Sequence, residues 1–520
     1  MKKRTIAWAL ALLIGTTAGA QTVYDAMNIT QKELNGTARF VGMGGAMGAL
    51  GGDLSTMNTN PAGIGIYRSC DVATTLSYNI LSTSSEYMNN RFDNTKYRWN
   101  FDNIGFVYAM KIGNQTPLRY VNFGFNYAKS KMLYRNMTMS GLMGQVDGAF
   151  LSQVRTMEDQ AYQNDPYIKT DFDSPRIWED YDAGWLGVMG IKGNLLDNEL
   201  YAIVPNEVDA LFHSQERGGV DRFDFNMAFN INDRFYIGAT IGAYDVDYKK
   251  YTLYDEDYGN KEGYSLETDK RISGSGFDFK LGMIARPFED SPLRLGVAIH
   301  TPTWYNLTYE TGARLNADIL FEGDTETTRL SANTVSDLRG NMVSDFELVT
   351  PWVFNASLGY TVGSMLALGA EYEYEDYSSM KFRYPDGGDM EFENNETDLC
   401  LKATHTVRLG MELKPISSFA LRAGYNYSSA AFKNDAIKAL PVNSISTDTD
   451  FSNHKEMNTL TLGIGYRGKM IYTDLAYKYN WYKSDFYPFY NQIGDQYATA
   501  PATKVDNERS QVLFTLGVRF

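Results

Sequence analysis

The chain ends in Val512-Leu513-Phe514-Thr515-Leu516-Gly517-Val518-Arg519-Phe520, and this stretch decides the fold class. Every second side chain from Val512 to Phe520 is apolar, while the facing set is small or polar apart from Leu513. A period-two pattern that runs to a terminal aromatic residue is typical of a strand between lipid and a wet lumen. Because the edge strand of a soluble sheet can show the same alternation of apolar and polar residues, the fold class has to be assigned from the rest of the chain as well.

The first twenty residues have the pattern of a secretory signal peptide. The cationic Lys2–Arg4 precedes an apolar run, Ile6–Ile14, and Ala18-Gly19-Ala20 forms a small-residue cleavage site before Gln21. After Gln21 no stretch approaches the roughly 18 uninterrupted apolar residues of a membrane helix. An exported chain of this kind is expected to cross a membrane only as a closed barrel, because closure pairs every backbone group in lipid.

Composition agrees with a barrel. The chain has 37 Tyr, 28 Phe, 7 Trp and 46 Gly, a mixture that aromatic girdles and polar loops would produce. A net charge of -15 argues against nucleic acid as a partner. The two cysteines, Cys70 and Cys400, supply neither a disulfide framework nor a zinc ligand set, and we expect them at opposite ends of the barrel and unpaired.

Apolar alternation recurs in segments of about ten residues or slightly more, the length of a tilted spanning strand. The candidates number about fourteen, an even number as in bacterial single-chain barrels. They are Asp71–Ile80, Asn103–Ile112, Leu118–Tyr134, Asp221–Ile231, Arg234–Lys250, Gly274–Arg286, Pro292–Pro302, Phe346–Thr361, Met365–Tyr377, His405–Lys414, Ser418–Ser429, Asn458–Arg467, Lys469–Trp481 and Arg509–Phe520.

The connections alternate strictly between short and long. The short ones are rich in turn residues, and we place them on the periplasmic side. The long polar ones are expected outside: Leu81–Asp102, Arg135–Val220, Tyr251–Ser273, Thr303–Asp345, Ser378–Thr404, Ala430–Met457 and Tyr482–Glu508. This alternation predicts an all-β fold, a transmembrane antiparallel barrel spanning residues 70–520.

Residues 21–69 are a different kind of sequence. The glycine-rich run Gly42–Asp53 lacks the following Lys-Ser/Thr or βαβ frame of a phosphate-binding loop. A fourteen-stranded lumen can hold a compact segment of this size, and glycine permits close backbone approach. We therefore predict a luminal hatch over residues 21–69, with Asn60, Pro61, Ala62 and Gly63 forming its closing turn. An ordinary turn into the first strand is the alternative.

These residues resemble the FadL family of outer-membrane transporters for hydrophobic compounds. The family's hatch has a small-residue run, an Asp and an Asn-Pro-Ala sequence, matched here by Gly44-Gly45-Ala46, Asp53 and Asn60-Pro61-Ala62-Gly63. Later segments look similar, among them Leu293–Gly296 before Thr301-Pro302, Thr350-Pro351, Val407–Gly410 and Leu421–Tyr425. The resemblance covers essentially the whole mature chain.

The resemblance implies a fourteen-stranded barrel with an N-terminal hatch in the outer membrane of a Gram-negative bacterium. It implies passive uptake of hydrophobic compounds such as long-chain fatty acids. The ligand would pass from an outer-loop groove to a pocket beside the hatch and leave sideways through the wall, without an energy-coupling protein or a cofactor. The expected partners are a hydrophobic ligand, outer-membrane lipid and the outer-membrane assembly machinery, whose recognition signal the terminal Phe520 also resembles.

The very long connection Arg135–Val220 departs from the family and is predicted to be partly helical. Val154 and Met157 recur at helical spacing with Phe150, as do Leu211 and Phe212 with Val208. Two interpretations stay open: a small core that holds the loop, and an apolar groove that captures ligand. The candidate groove residues are Phe150, Val154, Met157, Trp185, Leu186, Leu211 and Phe212.

No catalytic or metal-binding pattern accompanies these features. The histidines His213, His300, His405 and His454 are far apart in sequence and form no ligand motif. We therefore predict no enzyme activity and no metal. Three functions remain: passive uptake, a docking platform in a protein secretion or assembly complex, and a general porin, which the hatch disfavours.

Removal of Phe520 tests the terminal signal. We expect a chain that ends at Arg519 to reach the outer membrane at sharply reduced levels, because the assembly machinery loses its aromatic contact. Quantitative surface labelling against the full-length chain measures this, and normal surface abundance would contradict it.

Overall fold

The computed structural model describes residues 21–161, 175–178, 184–441, 443–493 and 496–520. The expected signal peptide lies outside these residues. The described strands are β1 (Asp71–Tyr87), β2 (Asn90–Lys111), β3 (Leu118–Met132), β4 (Arg135–Leu142), β5 (Gln145–Val146), β6 (Ala149–Phe150), β7 (Asp209–Ile231), β8 (Phe235–Gly259), β9 (Glu262–Ala285), β10 (Arg294–His300), β11 (Trp304–Ile319), β12 (Thr328–Asn333), β13 (Met342–Val349), β14 (Val353–Val362), β15 (Leu366–Asp376), β16 (Lys381–Arg383), β17 (Ala403–Ile416), β18 (Phe419–Ser428), β19 (Phe451–Arg467), β20 (Ile471–Tyr487), β21 (Asn491–Ile493), β22 (Gln496–Ala498) and β23 (Thr503–Arg519).

Short helices fill the connections. They are α1 (Val23–Thr30), α2 (Ala38–Gly42), α3 (Thr56–Thr59), α4 (Gln153–Ala161), α5 (Trp185–Lys192), α6 (Thr334–Asp337) and α7 (Glu391–Cys400), with 3-10 turns at Pro61–Ile66, Pro175–Trp178 and Tyr377–Ser379. Among the described residues, no helix has the length and apolarity needed to cross a membrane.

The long strands close into an antiparallel barrel of 14 strands, which confirms the predicted fold class. The chain follows the wall in order from β1 to β20, and β23 pairs with both β20 and β1. The closing ladder runs from Asp71↔Arg519 to Glu86↔Lys504. One wall strand consists of β10 and β11 and its neighbour of β13 and β14, because each is interrupted once.

The interruptions fall at Thr301-Pro302-Thr303 and Thr350-Pro351-Trp352. The first lies at the end of the predicted strand Pro292–Pro302, beyond which a loop was expected, and the second lies inside the predicted strand Phe346–Thr361. Proline has no amide hydrogen for the ladder. Two hydrogen bonds bridge the break: the Thr303 amide donates to Thr350 Oγ1 (2.8 Å), and the Thr350 amide donates to the Thr303 carbonyl (3.1 Å).

The outer connections are shorter than predicted, because several strands continue beyond the apolar band. β1 and β2 meet at residues 88–89, where a loop over Leu81–Asp102 was expected, and β8 and β9 meet at residues 260–261. The connection expected over Arg135–Val220 loses residues 135–142 to β4 and residues 209–220 to β7. Beyond lipid both faces of a strand can be polar, so the apolar alternation that marks a strand disappears.

The faces of the wall follow the predicted alternation. Val512, Phe514 and Leu516 are exposed on the outside, whereas Leu513 and Thr515 are buried. The same parity holds along β10, where Leu295, Val297 and Ile299 point outward. Cys70 and Cys400 are not joined by a disulfide.

The backbone of residues 21–69, the predicted hatch, approaches the wall very closely at a row of glycines. Gly359, Gly369, Gly410 and Gly424 lie opposite one another on β14, β15, β17 and β18. A Cβ on Gly369 would overlap the Ala46 carbonyl, and one on Gly410 would overlap the Met43 carbonyl. Only glycine permits this approach, so the observed position of the hatch requires glycine at these wall positions.

Alanine at Gly369 or Gly410 tests this contact. We expect the hatch to shift or loosen because an added Cβ meets hatch backbone, with a loss of about 1–3 kcal/mol in stability. The readouts are ion conductance in planar bilayers, which should rise, and the thermal unfolding midpoint, which should fall. Gly113→Ala is the control, since its Cβ would meet only the Thr116 side chain at 3.3 Å. Unchanged conductance in both wall variants would contradict the contact.

Candidate functional site

The turn at Asn60 fixes the hatch against the wall. Asn60 is extended (φ -139°, ψ 100°), its side-chain oxygen accepts from the Ala62 amide (3.2 Å), and Pro61 begins the 3-10 turn. The Asn60 amide also donates to the Met283 carbonyl of β9 (3.3 Å), and Asn226 of β7 donates to the Pro61 carbonyl (3.3 Å). A local turn motif therefore also attaches the hatch to two wall strands.

Ion pairs attach the hatch at four further places around the wall. Each uses one hatch charge and a charge from a different part of the barrel. The pairs are Asp25–Lys270 (2.6 Å), Lys32–Glu375 (3.0 Å), Glu33–Arg509 (2.8 Å) and Arg39–Glu412 (3.1 Å). Because an unpaired charge in such a site is costly, these pairs favour one position of the hatch.

One interior space, the central cavity, lies between the hatch and the wall and has a volume of about 90 Å³. Its lining is dominated by polar and charged groups. Lys32, Lys129, Lys131, Arg222, Lys280 and Arg408 supply cations, and Glu33, Asp278, Glu373 and Glu375 supply carboxylates. His300 also lines this cavity, with Nε2 3.0 Å from the Thr59 carbonyl.

A second space, the side cavity, has a volume of about 100 Å³. It reaches the wall at Leu81–Thr83 of β1 and at Met132–Arg135. The two cavities share Gln31, Lys32 and Glu33 of the hatch and Lys131 of β3. We call hatch residues 28–35 the strap, because this segment separates the two cavities.

The wall beside the strap has an incomplete ladder. β2 and β3 are paired only from Asn103↔Ala128 to Lys111↔Tyr120. Above that level β2 pairs with β1, while β3 and β4 pair with β7. The gap between β2 residues 90–102 and β3–β4 residues 129–142, called the seam here, closes again at its top, where Asn90 donates to the Ser140 carbonyl (2.9 Å).

The strap crosses the bottom of the seam. Asn35 donates through its side-chain amide to Asp102 Oδ1 of β2 (3.1 Å) and to the Lys129 carbonyl of β3 (2.8 Å). Arg98 spans the gap higher up, with its guanidinium 3.7 Å from the centre of the Tyr134 ring. A hatch side chain thus replaces the first missing rung of the wall ladder.

The outer end of the barrel is covered by a cap that includes residues 143–161, 184–208, 381–402 and 430–441. Val154, Met157, Trp185, Leu186 and Phe212 are at most 2 % exposed and belong to one continuous apolar core. None of the candidate groove residues is among those that line the two cavities. These side chains are therefore packed as the first interpretation expected, as a small core that holds the loop. They would have to separate to form a ligand groove.

Part of the helical prediction in this region is wrong. Val154 and Met157 do lie on α4, but Phe150 lies on β6. Leu211 and Phe212 lie on β7, so strand alternation puts Leu211 on the outside, 37 % exposed, and Phe212 inside. The spacing of Val208, Leu211 and Phe212 is compatible with a helix and with a strand. The pairing of Leu211 and Phe212 with β8 shows that they form a strand.

Buried charges hold the cap to the wall. Glu256 of β8 accepts from Ser152 Oγ (2.6 Å) and the Gln153 amide (2.7 Å) at the start of α4. Burial alone would raise the pKa of Asp448, but Lys250, Lys270 and Lys438 hold it well below its usual range. These contacts connect the cap to strands that also contact the hatch helix α1, through Asp25–Lys270.

One buried carboxyl group of the cap, that of Asp159, destabilises the folded cap when it is ionised. Burial, and then the charge of Glu158, raises the pKa of Asp159 from its ordinary 3.8 to about 7. Between pH 3.8 and about 7 the carboxyl group is protonated in the folded state but ionised in the unfolded chain. The stability of the cap therefore falls as the pH rises through this range.

The strap residues Lys32, Glu33 and Asn35 and the wall residue Lys131 were not found by sequence reasoning. They carry no motif, and their role depends on which wall strand meets the hatch. The one available signal was the adjacent pair of charges Lys32-Glu33, since the other charged residues of the hatch are isolated in the sequence.

The fold is similar to solved outer-membrane structures. A FadL homologue of Pseudomonas aeruginosa has a TM-score of 0.52 and 12% identity, covering 94% of this chain and 99% of that one. The toluene transporter TodX of Pseudomonas putida, also at 12% identity, has a TM-score of 0.48 over 94% of this chain and 99% of that one. No protein-family model matches the sequence, and no curated protein matches it. The chain has the fold of the Pseudomonas aeruginosa FadL homologue.

Proposed function

We propose that the protein is an outer-membrane channel for passive uptake of hydrophobic compounds such as long-chain fatty acids. The observation that carries the proposal is the seam: an incomplete wall ladder beside two interior cavities, crossed by a residue of the hatch. A closed porin wall needs no such gap, and a water-filled pore would not contain a hatch held by glycine contacts and ion pairs.

The proposed route uses the spaces that lie on either side of the strap. A ligand passes the cap, enters the central or side cavity as the strap moves and the cavity widens, and leaves through the seam at the outer edge of the membrane. Passage past the cap requires the apolar core around Trp185 and Leu186 to open, and these side chains would then contact the ligand. No energy-coupling partner is included, because no step requires more than relative movement of hatch, cap and wall.

Transport and docking make different predictions for purified protein. A bound acyl chain in lipid extracts of detergent-purified barrel supports uptake. An exported protein that co-purifies with an otherwise empty barrel supports the docking platform and counts against the proposal. We infer that the barrel is not an enzyme, since its charged groups are arranged in ion pairs between hatch and wall.

Deletion of Gly42–Gly63 tests the hatch. We expect the shortened barrel to conduct ions and to admit large hydrophilic antibiotics, because the glycine-lined wall loses its occupant, while uptake of fatty acid falls. Planar-bilayer conductance and labelled fatty-acid uptake in cells measure the two effects. A barrel that assembles normally but conducts no more than the intact protein would show that this segment does not close the lumen.

Asn35→Ala tests the seam. Two side-chain hydrogen bonds across the gap are lost, and at roughly 1 kcal/mol net we expect about a fivefold larger open population. Fatty-acid uptake should rise by a similar factor at unchanged surface abundance. The control is Asn58→Ala, a hatch residue that lines the same central cavity. Equal uptake by both variants would remove Asn35 from the mechanism.

A further inference from the structure

The end of the barrel that carries the short turns has an excess of positive charge. We call it the basic rim. It consists of residues 68–71, 111–119, 231–235, 285–294, 362–366, 414–419, 467–471 and 518–520. Although the chain has a net charge of -15, the rim contains ten cations and four side-chain carboxylates. The cations are Arg68, Lys111, Arg119, Arg234, Arg286, Arg294, Lys414, Arg467, Lys469 and Arg519, and the carboxylates are Asp71, Asp233, Glu289 and Asp290.

The carboxylates of the rim do not balance its cations. Three of them already have an arginine partner, in the pairs Asp71–Arg519 (2.6 Å), Asp233–Arg68 (2.9 Å) and Glu289–Arg234 (2.7 Å).

Two further cations of the rim have partners in the wall and the hatch. Lys414 pairs with Glu412 of β17 (3.0 Å), and Arg294 donates to the Leu50 carbonyl (2.8 Å). Within the described part of the chain, the remaining five cations form no ion pair with a carboxylate: Lys111, Arg119, Arg286, Arg467 and Lys469. Asp290 and the terminal carboxylate leave most of this charge unbalanced.

Exposed apolar side chains lie between these cations. Phe288 and Phe520 are 61 % and 66 % exposed, and Ile416 and Met470 are each 58 % exposed. Each of the four lies within two residues of a rim cation. Long cationic side chains can rest their stems on apolar surface and keep their charged ends in water. A rim of this composition suits the boundary between acyl chains and lipid head groups.

The cations are spread around the circumference of the barrel. Five of the six short connections, counted with the strand ends beside them, carry at least one cation, and the exception is 362–366. A folded protein partner would contact one sector of such a ring. A layer of lipid around the barrel contacts every sector at once.

We propose that the basic rim binds a ring of anionic phospholipids in the leaflet that contains the short turns, which we assign to the periplasm. The lipid phosphates lie on the unpaired cations, and the acyl chains lie against the apolar side chains. Arginine and lysine are the side chains that bind phosphate groups in proteins. Each basic side chain at a membrane surface adds to the attraction for anionic lipid. The site does not depend on the uptake function proposed above.

Lipid retention tests the proposal directly. The full mature chain is reconstituted in nanodiscs with equal amounts of phosphatidylglycerol and phosphatidylcholine, transferred to detergent, and its bound lipids are counted by native mass spectrometry. The two lipids share the phosphate group and differ in net charge. We expect the parent barrel to retain phosphatidylglycerol in clear excess, and equal retention of both lipids would overturn the proposal.

The combined variant K111Q/R286Q/K469Q removes three unpaired cations from three different connections. We expect its preference for phosphatidylglycerol to fall about tenfold, because each lost cation weakens the attraction for anionic lipid. The matched control K249Q/K483Q/K504Q removes three exposed cations near the opposite end of the barrel and should keep the preference of the parent. If the combined variant does not assemble, K469Q alone, with its substitution in a turn, should show part of the loss.

Three results would overturn the assignment to lipid. An equal loss in the control would show an effect of net charge alone. Release of phosphatidylglycerol by soluble glycerol phosphate would show a site for free phosphate groups. A periplasmic protein that binds the parent in detergent and is lost from K111Q/R286Q/K469Q would show a protein docking surface.

Asymmetric proteoliposomes test which leaflet is involved. We expect the thermal unfolding midpoint to rise when phosphatidylglycerol is placed in the leaflet of the short turns, because a ligand that binds only the folded barrel stabilises it. The midpoint should stay unchanged when the lipid is placed in the opposite leaflet, and an equal rise from either leaflet would contradict a site at the rim. Neither measurement involves fatty-acid uptake, so failure of the uptake function would leave this result standing.

Discussion

The structure depends on one constraint: in lipid, every backbone amide and carbonyl of the wall must find a partner within the protein. The chain meets it by pairing its last strand with its first. The ladder between β1 and β23 begins where Asp71 receives the Arg519 guanidinium (2.6 Å), and beside it the Phe520 amide donates to the Cys70 carbonyl (3.0 Å). Closure fixes which side chains face lipid and which face the lumen, because alternate residues of each strand point in opposite directions.

The lumen that results is polar, and the hatch is built to match it. Charged residues on the inward face of the wall are paired either with one another or with a hatch residue, as Glu412 is with both Arg39 and Arg422. Where the hatch has no charge to offer, its backbone lies directly on wall glycines such as Gly369 and Gly410. The ion pairs fix the position of the hatch through charge, and the glycine contacts fix it through steric fit. Both kinds of contact act on the same segment.

The sequence was sufficient for what depends on period two. It predicted the barrel, its strand number and the alternating faces of β23. It failed where tertiary pairing decides: at residues 81–102 and 251–273, which form strands without a continuous apolar outward face, and at Leu211 and Phe212, whose spacing fits a helix as well as a strand. The site eluded it for a related reason, because Asn35 acquires its role only from two wall strands that stop pairing beside it.

The seam brings these points together. A wall ladder that ends early within a membrane protein must be completed by protein groups or face water. Here Asn35 supplies the first missing rung, so the continuity of the wall depends on the position of the strap, and the strap is itself held by Lys32 and Glu33 between two cavities. In the proposed route, a ligand in either cavity displaces the strap, and this displacement breaks the Asn35 contacts that complete the wall. The proposal therefore needs no separate gate, since displacement of the strap and opening of the wall are the same movement.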